Sequence, residues 1–168
     1  MPGASPVSRA ARISETASCA AATLGRLSVA LMGPDGEYAA AASYQAVIDK
    51  FGDVEPYLSI QAAEERHSDA LIRQLGRLGV DVPDNPYLGT ITAPQDLATA
   101  AAAWAEGEVA NIAMYDLLLT ETTDPALVNV LKNLRSASLE SHLPAFKAAA
   151  ENGGTLTAEQ MAEFNFGR

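Results

Sequence analysis

One cysteine, one tryptophan, two histidines and 6% aromatic residues make this chain poor in several residue types, and its 11 lysines and arginines face 21 acidic residues. Each shortage excludes something. With Cys19 alone there is no intramolecular disulfide framework, which fits a reducing compartment and predicts a cytoplasmic protein. With a net charge of −10 there is no basic face for nucleic acid or for an anionic membrane surface. No stretch approaches the roughly 18 consecutive apolar residues of a membrane span, so a soluble protein is expected. The segment Thr16-Ala17-Ser18-Cys19 has the outline of a lipoprotein cleavage site, but Arg9, Arg12 and Glu15 stand where an apolar segment is required. β-Branched runs of period two are also missing, which removes the sheet classes.

What is present is alanine-rich and helical. The 168 residues are 48% apolar, enough for one sizeable core. Residues 1 to 12, rich in Pro, Gly, Ser and Ala, predict a flexible arm, and residues 13 to 168 a single helical domain. Ile13, Ala17, Ala20, Leu24, Leu27 and Leu31 mark an extra N-terminal helix that stops at Gly33-Pro34-Asp35-Gly36. Glu37, Ala41, Tyr44, Ile48 and Phe51 form the stripe of the next helix, and Tyr57, Gln61, Glu64, Ser68, Leu71 and Leu75 that of the third, from near Asp53 to Leu78. After an aperiodic stretch, Thr92-x-x-Gln95 resembles a capping box opening the fourth, on Leu97, Ala101, Trp104, Glu108, Ile112, Tyr115 and Leu119. Asp124-Pro125 opens the fifth, on Leu127, Leu131, Leu134, Ser138, His142 and Ala145, with a distortion expected at Pro144. Thr157-x-x-Gln160 opens a short C-terminal helix.

Loop lengths choose the topology. The turns near Gly52 and at residues 122–124 are short, so each joins antiparallel neighbours. The stretch from Gly79 to Pro94 could reach roughly 50 Å at about 3.3 Å per residue, more than the roughly 37 Å of a helix of about 25 residues. The expectation is an all-α, ferritin-like four-helix bundle: two antiparallel hairpins with a long crossover between the second and third core helices.

Five side chains interrupt the apolar stripes: Glu37, Glu64, His67, Glu108 and His142. Carboxylates on a core stripe are costly unless paired, protonated or metal-bound. Both histidines of the chain are in this set, and Glu64-x-x-His67 puts a carboxylate and an imidazole on adjacent turns of one face. Counted from the turns at about 1.5 Å per residue, Glu37 is level with Glu64 and His67, and Glu108 lies within roughly 6 Å of His142 in height. One shared site follows as an expectation. A mixed oxygen and nitrogen shell suits iron, with manganese or zinc as alternatives, and glutamates combined with Glu-x-x-His elements form the di-iron carboxylate pattern. Ordinary roles compete: Glu37 can complement a helix dipole, Tyr44 and Tyr115 can be core residues with satisfied hydroxyls, Trp104 reads most simply as core, and Glu65, Arg66, Asp69 and Glu106 read as a solvated face.

From Glu37 to about Phe164 the chain resembles an uncharacterised prokaryotic, bacterial-type ferritin-like family, a domain of unknown function. The pieces that carry the resemblance are Tyr44 through Lys50-Phe51-Gly52-Asp53, Glu64-Glu65-Arg66-His67, Glu108-x-x-Asn111-Ile112, and Ser138-x-x-x-His142-Leu143-x-Ala145-Phe146. The resemblance implies a metal-binding protein, with a di-iron-type oxidase or ferroxidase acting on ferrous iron, oxygen or peroxide as its active form. A non-catalytic metal carrier or store, and a metal-free structural bundle in which the glutamates pair with His67 and His142, are the alternatives. Metal ions are the implied partners, and assembly into a homo-oligomer is left open. The wider superfamily usually repeats Glu-x-x-His in its last helix, where this chain has Leu139. Three glutamates then oppose two divalent ions with a formal −3 against +4, which predicts one tightly held ion and a weak or absent second. On this reading Leu139→Glu tightens the second position.

Overall fold

The computed structural model describes residues 9–164 and Phe166, and within them the chain is all helical, with no strand. Its elements are α1 (Arg9–Met32), α2 (Glu37–Phe51), α3 (Tyr57–Arg77), α4 (Leu97–Glu121), α5 (Pro125–Ala137), a π-helical turn (Ser138–His142), α6 (Leu143–Glu151) and α7 (Ala158–Met161). No helix among the described residues is long and apolar enough to cross a membrane. Of the arm expected at residues 1 to 12, positions 1 to 8 lie outside the described residues, and α1 already begins at Arg9.

Local chemistry sets the boundaries. α5 starts where expected, with the Asp124 carboxylate accepting from Ala126 N and Leu127 N, each at 3.0 Å, and Pro125 in the first turn. α7 carries the full capping box of Thr157 and Gln160. α4 opens later than its Thr92-x-x-Gln95 signal: Asp96 is the cap, accepting from Thr99 N at 2.7 Å. Pro94 explains the shift, because it biases Ala93 toward extended backbone and lacks the N–H that a helix beginning at Thr92 would soon need.

The fifth predicted helix is also not continuous. An α-helix running through Pro144 would lose a hydrogen bond and drive the ring against the Glu140 carbonyl. The chain widens instead, with the Leu143 N–H reaching back five residues to the Ser138 carbonyl.

Two apolar clusters organise the packing. One gathers Leu27 and Leu31 of α1, Leu71 and Leu75 of α3, Tyr115 and Leu118 of α4, and Leu127, Leu131 and Leu134 of α5. The other gathers Tyr44 and Val47 of α2, Tyr57 and Ile60 of α3, Ala100 and Ala101 of α4, and Ala145, Phe146 and Ala149 of α6. α3 and α4 give their beginnings to one cluster and their ends to the other, so they run in the same direction. Tyr57 Oη, near the start of α3, donates to the Leu97 carbonyl at the start of α4 at 3.0 Å.

The connection from α3 to α4 must therefore return along the molecule, and it does so beside α2. Tyr38 Oη donates to the Pro83 carbonyl at 3.0 Å and Asn85 Nδ2 to the Tyr38 carbonyl at 2.8 Å, while Lys50 Nζ, at the other end of α2, donates to the Pro94 carbonyl at 2.6 Å. The N-terminal helix, expected as an addition outside the core helices, is part of the core at its end: Leu27, Ala30 and Leu31 are fully buried.

The break between α1 and α2 is built on close backbone approach. A Cβ at Gly36 would lie 2.6 Å from the Ala30 carbonyl oxygen and 2.9 Å from that of Val29, both backbone atoms that cannot step aside. Gly25, in the middle of α1, has nothing within 4 Å of a built Cβ. Gly36→Ala is expected to lower unfolding free energy by ~2 kcal/mol, the range of overpacking substitutions, whereas Gly25→Ala should raise it by up to about 1 kcal/mol through helix propensity. Urea denaturation of both variants checks the pair, and equal midpoints would contradict it.

Candidate metal centre

Between the two apolar clusters lies a polar layer that no water reaches easily. Glu37 is 2% exposed, Glu64 and Glu108 1% each, and His142 0%. His67 is the one member of the five sequence-selected residues that reaches the surface, with 18% of its side chain exposed. α2 supplies Glu37 from its first turn, α3 supplies Glu64 and His67, α4 supplies Glu108, and the π-helical turn supplies His142.

Glu64 stands at the centre. Its Oε2 lies 2.8 Å from His67 Nδ1 and its Oε1 3.0 Å from His142 Nδ1. His142 Nδ1 is also 3.4 Å from Glu108 Oε1, and the two imidazoles stack with centroids 5.4 Å apart. Glu37 lies beside them, close enough for the charges of Glu64 and Glu108 to act on its carboxyl. All five side chains thus lie in one layer, none on an opposite solvent face. The tightest subset is Glu64, His67 and His142, each offering a ligand atom within 4.8 Å of the other two. Ligands about 2.1 Å from one ion sit roughly 3 to 4 Å apart, so a small contraction brings the three into a coordination shell.

The His142 contacts are charge contacts without the alignment of a hydrogen bond. Both its ring nitrogens are buried without a hydrogen-bond partner, as are Glu37 Oε2, Glu64 Oε1 and Glu108 Oε2. Five orphaned polar atoms in one layer is an expensive arrangement for a protein interior. A cation among them would satisfy several at once.

The protonation pattern has the same origin. Burial, followed by the neighbouring Glu64 and the charge of Glu108, holds the Glu37 carboxyl well above the usual carboxylate range. Burial pushes Glu64 up too, but His67, the neighbouring Glu37 and His142 outweigh it and hold Glu64 well below that range. Burial pulls His142 down, yet Glu64 and Glu108 push it up to about 10.

Two tyrosines with an ordinary core reading belong to the site as well. Tyr44 of α2 donates to Glu108 Oε1 of α4 at 3.4 Å, and Tyr115 of α4 donates to Glu37 Oε1 of α2 in a short contact. The signal was in the sequence as two equal spacings, Glu37-x6-Tyr44 and Glu108-x6-Tyr115. Only the opposed directions of α2 and α4 turn these into two crossed pairs. Burial and the three surrounding carboxylates raise the Tyr44 hydroxyl well above its usual range, so it stays a donor.

The expectation for Leu139 is overturned. The widened turn at Ser138–His142 leaves Leu139 39% exposed, and Glu140 is exposed too, while Ser138 and Ser141 are buried. A glutamate at 139 would point to solvent rather than to the site, and Glu140 does not replace it.

For metal-free protein the sign of one pH effect follows. A histidine pushed from 6.5 to about 10 on folding binds its proton more tightly in the native state, so its contribution is full below about 6.5 and is lost as pH rises toward 10. Calorimetry in chelator is expected to show the thermal midpoint falling between pH 7 and 10, with a shallower fall in His142→Gln. Equal slopes would remove His142 as the source.

No family model, curated protein or solved structure matches this chain.

Proposed function

We propose that the chain is a ferritin-like four-helix bundle that binds a divalent metal ion, iron first and manganese or zinc as alternatives, through Glu64, His67 and His142, with Glu108 and Glu37 beside them. The single observation that carries this reading is the buried Glu64–His67–His142 group with its ligand atoms within 4.8 Å of one another. The orphaned oxygens and nitrogens around it support the same reading.

An iron ion bound there supplies the capacity to react with oxygen or peroxide, the basis of an oxidase or ferroxidase reading. The chain's own part is to hold and shield. Tyr44 and Tyr115 fix one oxygen each of Glu108 and Glu37, leaving the second oxygen of each carboxylate for the site. The apolar clusters on either side exclude bulk water. The protons held by His142 and by the raised Glu37 carboxyl sit on candidate ligand groups, so loading with metal should release protons.

A non-catalytic metal carrier is the second reading, and the exposed Leu139 favours it. Without a carboxylate from the π-helical turn, three glutamates face the charge of two divalent ions, which suits one tight ion better than a pair. Metal analysis of protein purified without added metal, followed by oxygen uptake on addition of ferrous iron, separates the readings. Bound iron with oxygen uptake supports the oxidase, bound metal without uptake the carrier, and no bound or bindable metal the structural bundle.

Two variants test the ligand set. Loss of a group merely hydrogen-bonded to a ligand costs about 10- to 100-fold in affinity, so His67→Ala should weaken binding at least ~10-fold while the helices, held by apolar packing, stay folded. Leu139→Glu is expected to leave stoichiometry and affinity unchanged. Calorimetric titration reads both, and a new tight site in Leu139→Glu would mean that the helix does not widen there.

A further inference from the structure

One face of the metal centre opens to the surface. Between α3 and the π-helical turn lies a cleft of about 430 Å³, bordered at its inner end by His67 and His142 and further out by Asn133, Ser141, Glu140 and Glu163. Neither the cleft between α2 and the returning connection nor the pocket at the α1–α2 break touches any of the five site residues. A divalent ion with six waters, at about 30 Å³ per water, needs roughly 180 Å³ and fits. His142, fully buried and with no hydrogen-bond partner for its Nε2, is one of the residues that line this cleft.

Phe166 partly covers the inner end. Its ring stacks on that of His142, centroids 6.0 Å apart and 19° from parallel, and its carbonyl accepts from Arg66 Nη2 at 2.7 Å. Phe166 follows the last helix, and its ring also meets that of Phe164, centroids 6.3 Å apart, at the edge of the second apolar cluster. Glu140 and Glu163 are exposed at the mouth beside the exposed Arg66, and two negative charges against one positive leave the rim net negative, which raises the local concentration of cations.

We propose that this cleft is the port through which a divalent cation enters and leaves the Glu64–His67–His142 centre, with Phe166 as its cover and Glu140 and Glu163 as its cation-attracting rim. The proposal rests on the metal-binding reading above. A cover on a port changes both rates and leaves the equilibrium alone, whereas a residue that merely supports His142 changes affinity.

The test is stopped-flow loading of the full metal-free chain with Co²⁺, followed by its visible bands, and extraction of the loaded protein with EDTA. Phe166→Ala is expected to speed loading and extraction by the same factor, on the order of tenfold for removal of a gate, with Kd unchanged within twofold. Glu140→Gln combined with Glu163→Gln should slow loading by roughly 3- to 10-fold at low ionic strength, and the difference should fade in high salt. Faster extraction alone with a weaker Kd would make Phe166 a support for His142 and overturn the cover. Wild-type loading rates in both variants would overturn the port. Absence of Co²⁺ binding by the wild-type chain would instead remove the metal reading itself, and the port with it. Circular dichroism of each variant guards against misfolding, and Phe166→Leu, which keeps an apolar side chain there, should give intermediate rates.

Discussion

Everything in the middle of this molecule depends on one carboxylate being charged where no water can solvate it. Glu64 stays ionised because His67 and His142 flank it, with Glu37 beside it. Remove those neighbours and burial alone would neutralise it. Each neighbour is then constrained in turn: Glu37 by Tyr115, His142 by Glu108, and Glu108 by Tyr44. The polar layer is a closed set of mutual obligations held between two apolar clusters that supply the folding free energy.

That division of labour accounts for what the sequence revealed. Apolar positions three and four apart marked the helices, and the five polar interruptions on those stripes are the residues that lie together in the buried layer. The length of the stretch after α3 implied a return along the molecule, because a chain has a fixed reach per residue. Such features are set by local periodicity and covalent geometry, which a sequence carries explicitly.

What was not legible depends on relations between elements. The Tyr44–Glu108 and Tyr115–Glu37 pairs cross between α2 and α4, and nothing in either segment says that they oppose each other. The core role of α1 depends on where its last turns lie against α3 and α4, a packing fact. Pro144 announced a distortion but not its form. The five-residue hydrogen bond from Leu143 to Ser138 adds a residue to the turn, which leaves Leu139 exposed and Ser141 buried between Ser138 and His142, two positions already on the core stripe.

That widened turn makes the last long helix a length gauge. A five-residue hydrogen bond holds one residue more than an α-helical turn, and the surplus is taken up inside Ser138–His142, so the helix after it still brings Phe146 and Ala149 to the second apolar cluster. Trimming that residue would narrow the turn to an α-helical one and press the Pro144 ring against the carbonyl four residues before it, the clash that the wide turn avoids. Length and proline are matched here: the segment can lose its surplus residue without strain only if it loses Pro144 as well.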